Sequence, residues 1–179
     1  MDAATESPRP HALSAFLAGL QGGTIGVLCM LAWLGVSALW QQRSFWTAEN
    51  LMATVFYGNR AIRSGFAGET LSGLAAYVVL YGLLGALFAA LLRDRFPRMR
   101  IFLLSLVFAL GWYYLSFRLL WRSVMPLVSL LHVERATAFG HLIYGAVLGW
   151  YPARLGRYPA HSRTPAETPE VAQDSELRD

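Results

Sequence analysis

The chain contains no lysine, and its one cysteine is Cys29. A single thiol cannot close a disulfide within the chain, so no covalent crosslink is expected to hold this fold. The 15 basic residues are all arginines and face 11 acidic residues, which leaves a net charge of +4. A basic balance also occurs in nucleic-acid-binding proteins. Here the arginines flank apolar segments, where anionic lipid headgroups are the simpler partner, and we expect no nucleic-acid partner.

The sequence carries no motif for a known chemistry. It has no Walker loop, no CxxCH haem attachment, no HExxH zinc site and no nucleophile elbow. His132, Glu134 and His141 straddle a predicted helix start, and no ligand spacing relates them, so we predict no metal site. The two halves also do not resemble each other, which counts against a transporter built from repeats. We therefore predict a protein that is not an enzyme and holds no cofactor.

Four long apolar segments dominate the chain, in which 55% of the residues are hydrophobic. A helix needs roughly 20 apolar residues to cross about 30 Å of hydrocarbon. The predicted spans are residues 17–40, 71–92, 101–121 and 136–153. The fourth is the shortest, and it reaches this length only if its two ends lie near the interfaces. The sequence therefore predicts an all-α integral membrane protein.

The spans belong to one membrane domain, residues 12–158, in which we predict four transmembrane helices in a bundle. A short interfacial helix is expected between the first and second spans. The flanking segments 1–11 and 159–179 are polar and contain several prolines and acidic residues. They offer too little apolar surface to fold, so we predict that both tails are disordered.

The arginines predict how the domain is oriented. The connection 93–100 holds four arginines and a single acid, Asp94. Short loops rich in arginine stay on the cytoplasmic side of the bacterial inner membrane. An even number of spans then places both termini in the cytoplasm and residues 41–69 and 122–137 in the periplasm.

The connection 41–69 contains a second apolar pattern. Thr47 can cap a helix, Glu49 suits its first turn, and Gly58 suits its end. Four apolar residues recur at helical spacing and form one stripe; they are Leu51, Met52, Val55 and Phe56. We predict a helix over residues 48–57 that either lies on the periplasmic membrane face or docks on the bundle or on a partner subunit.

Small residues indicate how the spans pack, because close backbone contact drives helix association in lipid. The predicted packing positions are Gly22 and Gly26 in the first span, Gly82 and Ala86 in the second, and Gly145 and Gly149 in the fourth. Dimerisation through these residues is the alternative. The third span is rich in leucine and aromatic residues and has only Gly111. We expect it to face mainly lipid or a partner.

His141 is the one histidine within a predicted span, and ionisable residues there are costly. A haem held by two histidines would need a second one in the membrane, which the first three spans do not contain. Cofactor binding would thus be an axial contact to a pigment or haem shared with another subunit. The simpler interpretation is a neutral ring that is hydrogen-bonded to a Tyr or Thr of another helix.

Four arginines are predicted to contact lipid or another anion. Arg118 and Arg122 lie one turn apart near the end of the third span, where long side chains reach the headgroups. Their alternative role is a site for an anionic headgroup, a quinone carbonyl or a carboxylate. Arg60 and Arg63 would lie among headgroups beside the short interfacial helix.

Three segments resemble a known group of proteins. They are LQGGTIGVL at residues 20–28, ENLMATVFYGNRA at 49–61 and GHLIYGAVLGW at 140–150. These segments are similar to uncharacterised four-span bacterial inner-membrane proteins of the YagU-like kind. The resemblance covers about a third of the chain. It implies four spans and offers no reaction and no catalytic residue.

Three hypotheses of function follow. The first is a non-catalytic membrane subunit or scaffold on a larger bacterial complex, of a respiratory or photosynthetic type, with lipids and other subunits or further copies of the chain as partners. The second is a small oligomeric channel or transporter for an anionic or small solute, using Arg118 and Arg122. The third is a subunit that contacts a pigment, haem or quinone through His141.

Overall fold

The computed structural model of the chain describes residues 12–63, 65–92, 96–117 and 133–150. Regular structure in these residues is entirely helical. The helices are α1 (Ala12–Trp40), α2 (Thr47–Tyr57), α3 (Arg60–Arg63), α4 (Gly68–Leu92), α5 (Arg98–Leu115) and α6 (Glu134–Trp150). The predicted tails and the last residues of the third and fourth predicted spans lie outside the described part of the chain.

Three of the helices, α1, α4 and α5, are long and apolar enough to cross a membrane. α1 and α4 have 29 and 25 residues, and α5 has 18. In the part of the chain that the structure describes, the protein is thus all-helical with three candidate spans. α6 has 17 described residues, a length of about 25 Å at 1.5 Å per residue. That is shorter than the hydrocarbon core of about 30 Å.

The helices pack in two pairs that are joined through α1. α1 lies along α4, α6 lies along α5, and α1 also lies along α6. Consecutive helices α4 and α5 hardly touch. The core is formed where α1, α4 and α6 meet. Its central side chains are Val27, Met30, Leu31, Tyr77, Tyr81, Leu84, Tyr144 and Leu148.

α5 is the most exposed of the three candidate spans. Its buried residues are Ser105, Ala109 and Tyr113, which recur every four residues and so form one narrow face. Outside this face, Leu103 and Val107 are exposed. This exposure agrees with the expectation that the third span faces mainly lipid or a partner.

The end of α2 agrees with the prediction from the sequence, whereas its start does not. Gly58 ends it with a positive φ of 59°, and the Gly58 N–H donates to the Thr54 carbonyl, as predicted. The prediction that Thr47 caps the helix is wrong. Trp46 occupies the cap position. Thr47 is the first helical residue, and its hydroxyl is already used as a donor to the Ser44 carbonyl.

The apolar stripe of α2 is divided between two environments. Leu51 and Met52 are buried, whereas Val55 and Phe56 are exposed. α2 packs mainly against α4, so its first half docks on the chain's own helices. The second half remains open to lipid or to a partner.

Candidate functional site

α1 and α4 approach each other through glycine. A Cβ placed on Gly19 would come within 2.8 Å of Cα of Ala86, and one on Gly85 would come within 2.7 Å of Cα of Gly23. Real Cβ atoms do not approach backbone this closely, so glycine is required at both positions. Gly82 and Ala86 belong to this contact surface on α4.

The contact surface of α1 differs from the predicted motif. Gly19 and Gly23 face α4, whereas Gly26 faces α6, where a Cβ would lie 2.9 Å from Cδ2 of Tyr144. Gly22, the other member of the predicted pair, is buried. Gly19 and Gly23 are four residues apart, the same spacing as that of the predicted pair Gly22 and Gly26. The two pairs lie on different faces of α1. A helix packed on two neighbours uses small residues on two faces.

Gly145 and Gly149 bring α6 against α5. A Cβ on Gly145 would come within 2.8 Å of the Ser105 carbonyl oxygen, and one on Gly149 would come within 2.9 Å of Cα of Phe102. Ser105 is fully buried. Its hydroxyl donates to the Phe102 carbonyl within its own helix, at 2.7 Å, so the polar group is satisfied locally while its helix packs closely on α6.

His141 lies at the centre of the contacts of α6 and is 3% exposed. Its Nδ1 lies 2.8 Å from the Thr137 carbonyl oxygen. A carbonyl oxygen only accepts, so Nδ1 carries the hydrogen. Nε2 of the neutral ring then accepts the hydroxyl hydrogen of Tyr81 on α4, at 2.8 Å. Both nitrogens are occupied, which leaves neither free to bind a haem iron or a pigment metal.

Aromatic side chains enclose His141. Tyr81 and Tyr113 have ring centroids 5.8 Å and 5.3 Å from the imidazole. Tyr144 donates its hydroxyl to the Tyr81 backbone carbonyl at 2.8 Å, and its ring meets that of Tyr81 edge to face. The arrangement links α4, α5 and α6 through aromatic rings whose polar atoms are hydrogen-bonded within the chain, and it orients these helices relative to each other.

A second polar cluster joins α2 to the start of α4. The Thr70 hydroxyl donates to Oδ1 of Asn50 at 2.7 Å, and Nδ2 of Asn50 donates to the Gly65 carbonyl at 3.1 Å. Asn50 and Thr70 are both buried. Beside them, Glu49 is buried as well, and burial raises the pKa of its carboxyl above the ordinary value. Sequence reasoning placed Glu49 in the first turn of α2 but did not find its burial.

The four predicted lipid-binding arginines fall in different places. Nε of Arg60 lies 3.4 Å from a carboxylate oxygen of Glu69, and the Arg60 side chain is largely exposed. Arg63 ends α3, and its side chain lies outside the description. Arg118 and Arg122 lie outside the described residues, so the anion site predicted there is not located.

Among the described residues, the histidine, cysteine and acidic side chains form no cluster that would hold a metal ion. A small cavity of about 30 Å³ lies between the end of α1 and the starts of α2 and α6. Its polar lining includes Ser37, Gln41 and Thr137. This volume accommodates about one or two waters rather than an organic ligand.

Comparison with known proteins found no matching protein family, no similar curated protein and no similar solved structure.

Proposed function

We propose that the chain is a non-catalytic integral membrane subunit or scaffold that docks on a larger bacterial membrane complex. The main observation behind this proposal is the hydrogen bonding of the His141 ring. The ring is the best candidate for chemistry within the described spans, and both of its nitrogens are bonded inside the chain. A fully bonded ring stabilises the helix packing and has no remaining position for a ligand.

The apolar surfaces that are not used in packing within the chain favour docking through α5 and α2. The closely packed glycines of α1, α4 and α6 contact other helices of the same chain; they are Gly19, Gly23, Gly26, Gly85, Gly145 and Gly149. The outer face of α5 and the second half of α2, with Val55 and Phe56, remain exposed and apolar. Outer-face aromatic residues such as Tyr114 add large contact areas of the kind that anchors interfaces.

The proposal includes a complete four-span bundle in the bacterial inner membrane. α6 packs lengthwise on both α5 and α1, which supports its being the described part of a fourth span. Both tails then lie in the cytoplasm, and α2 lies at the periplasmic interface. The contacts of α2 with α4 include Thr70 and Gly73, which lie within two turns of the start of that span, near the depth of an interfacial helix.

Lipid headgroups are the proposed partners of the basic side chains at this interface. Arg60 is exposed and lies next to the first turn of α4. Arg63, Arg118 and Arg122 retain the same proposed role from their positions in the sequence. The channel and pigment-binding alternatives draw no support from the described cavity or from His141.

Photocrosslinking tests the docking surface. Val107 on α5 and Val79 on α4 are 67% and 61% exposed, so they form a matched pair on two different spans. A photoreactive amino acid at residue 107 is expected to yield a discrete adduct with another membrane subunit, identified by mass spectrometry. The same group at residue 79 is expected to react with lipid only.

Native purification completes this test. The chain is expected to migrate with partner subunits in mild detergent. A chain that migrates alone as a monomer and forms only lipid adducts at both positions would contradict the proposal.

A further inference from the structure

Glu49 is buried where α2 crosses α4. It is the third residue of α2 and is 2% exposed. The backbone of α2 lies directly on α4 at this point, because the Glu49 carbonyl occupies the space that a side chain at Gly73 would need. A buried carboxyl group at a helix contact is unusual, since acidic residues are almost never fully buried unless they are paired.

The Glu49 carboxyl group has no ion-pair partner among the described side chains. Its Oε2 is buried and has no hydrogen-bond partner among the described residues. The neighbouring polar side chains do not compensate, because Asn50 and Thr70 bond to each other and to the Gly65 carbonyl. The site therefore contains one acceptor atom that a bound proton would convert into a hydroxyl group.

Among the side chains that the structure describes, no cation forms an ion pair with Glu49. From α4, Tyr77 interacts electrostatically with Glu49, and Glu69 pairs with Arg60 of α3. α1 carries no charged residue between Ser14 and Trp40. Arg43 lines the cavity on the face of α2 that includes Thr47 and Ala48. Arg63 is the remaining charged residue of α3.

Burial therefore decides the protonation of Glu49. An unpaired ion loses its hydration in an interior, so such groups become neutral instead. The N-terminal end of a helix favours the ionised form, but this effect is smaller than the cost of burying an unpaired ion. A hydrogen bond from the Glu49 backbone lowers the pKa of the carboxyl, but the larger effect of burial raises it.

We propose that Glu49 is a proton-binding site that couples the packing of α2 on α4 to pH. With the proton bound, the neutral side chain stays in the contact and α2 is docked. When the proton is released, the carboxylate gains by reaching water, and the first half of α2 moves away from α4. This inference is independent of the proposed partner complex, because it concerns a contact within the chain.

The direction of the pH dependence follows from proton linkage. The docked state holds the proton to higher pH than the undocked state does, because burial raises its pKa. Docking is therefore strongest below the ordinary glutamate pKa and weakens as the pH rises through the raised pKa of the docked state. One proton changes the docking equilibrium by up to about tenfold per pH unit within this window.

Cysteine labelling of the full chain measures this equilibrium. In a Cys29→Ser background, Met52→Cys places a thiol on the buried side of α2 and Val55→Cys places one on its exposed side. A water-soluble thiol reagent is applied in detergent solution from about pH 5 to about pH 9, which covers the range above the ordinary glutamate pKa in which a buried glutamate titrates. The ratio of the two labelling rates removes the pH dependence of the thiol chemistry.

The ratio of the rate at residue 52 to that at residue 55 is expected to rise by up to about tenfold per pH unit. Glu49→Gln keeps the shape without a titrating proton and is expected to give a low, pH-independent ratio. Glu49→Asp is expected to retain the dependence. Glu134→Gln, at an exposed site on α6, is the matched control and should behave as the wild type.

A constant ratio in the wild type would overturn the proposal, and so would an unchanged slope in Glu49→Gln. If Glu49→Gln fails to fold, infrared spectroscopy of the wild type tests the proposal instead. The carbonyl band of a protonated carboxylic acid must then disappear over the same pH range in which the labelling ratio rises. A band that is absent, or that titrates elsewhere, would equally refute it.

Discussion

The Tyr81 hydroxyl and Nε2 of His141 lie 2.8 Å apart, although the two residues are separated by 60 positions in the chain. The bond joins α4 to α6 within the core, and the Thr137 carbonyl holds the other nitrogen of the ring. Removal of either side chain therefore leaves a buried polar atom without its partner, and this cost can be measured.

Tyr81→Phe is expected to destabilise the protein by about 1–3 kcal/mol, because Nε2 of His141 loses its donor in a buried site. A double-mutant cycle with His141→Leu should give a coupling energy of about 0.6 kcal/mol and at most about 1.7, as for other hydrogen bonds in membrane proteins. Denaturation in mixed micelles provides the free energies. Tyr114→Phe, at an exposed ring on α5, is the control and should be neutral; a zero coupling energy would contradict the bond.

Gly85→Val is expected to destabilise the contact of α1 with α4 by about 1–3 kcal/mol or more, since the added atoms meet backbone rather than flexible side chains. Gly111→Val is the matched control, because a Cβ there meets nothing within 4 Å. Thermal unfolding in detergent compares the two variants. Equal stability of both would show that the α1–α4 contact is not close.

The purified protein, with its partner subunits retained, is expected to show no visible absorption band that depends on His141. The physical reason is that both ring nitrogens are already hydrogen-bonded. Absorption spectra of the wild type and of His141→Gln provide the measurement. A haem or pigment band in the wild type that is lost in His141→Gln would restore the cofactor hypothesis.

Membrane orientation can be tested with single cysteines at Phe66 and Phe96, both exposed positions, in a Cys29→Ser background. An impermeant reagent outside intact cells is expected to label residue 66 and not residue 96, because the arginines around residue 96 resist translocation. The outer membrane, where present, is permeabilised first. Labelling of residue 96 with protection of residue 66 would invert the proposed topology.

The sequence predicts where the helices lie in the chain better than it predicts which helices contact each other. Apolar runs bounded by charge identify α1, α4 and α5, because length and hydropathy are properties of a continuous segment. The helical stripe near Leu51 identifies α2 for the same reason. Its cap was predicted incorrectly because the helix already begins at Thr47, where the hydroxyl donates to the Ser44 carbonyl and caps no backbone N–H of the first turn.

Local sequence patterns do not predict which distant segments contact each other. A tyrosine or threonine partner for His141 is a reasonable expectation from chemistry, but Tyr81 is one of eight tyrosines and no spacing rule selects it. Four-residue glycine spacing identifies a surface of small residues without saying which neighbouring helix it contacts, so the contact of Gly19 and Gly23 with α4 could not be predicted. The burial of Glu49 results from the crossing of two helices, which its own turn does not encode.

The pairing of the helices also has a consequence for how the protein is made. α1 lies along α6, whereas the consecutive helices α4 and α5 hardly touch. During synthesis α1 and α4 can associate early, because domains form progressively as the chain emerges. The face of α1 at Gly26 can be covered only after Tyr144 of α6 has been synthesised and inserted. Until α6 is inserted, that face of α1 is open to lipid and to assembly factors, so completion of the described core depends on the arrival of α6.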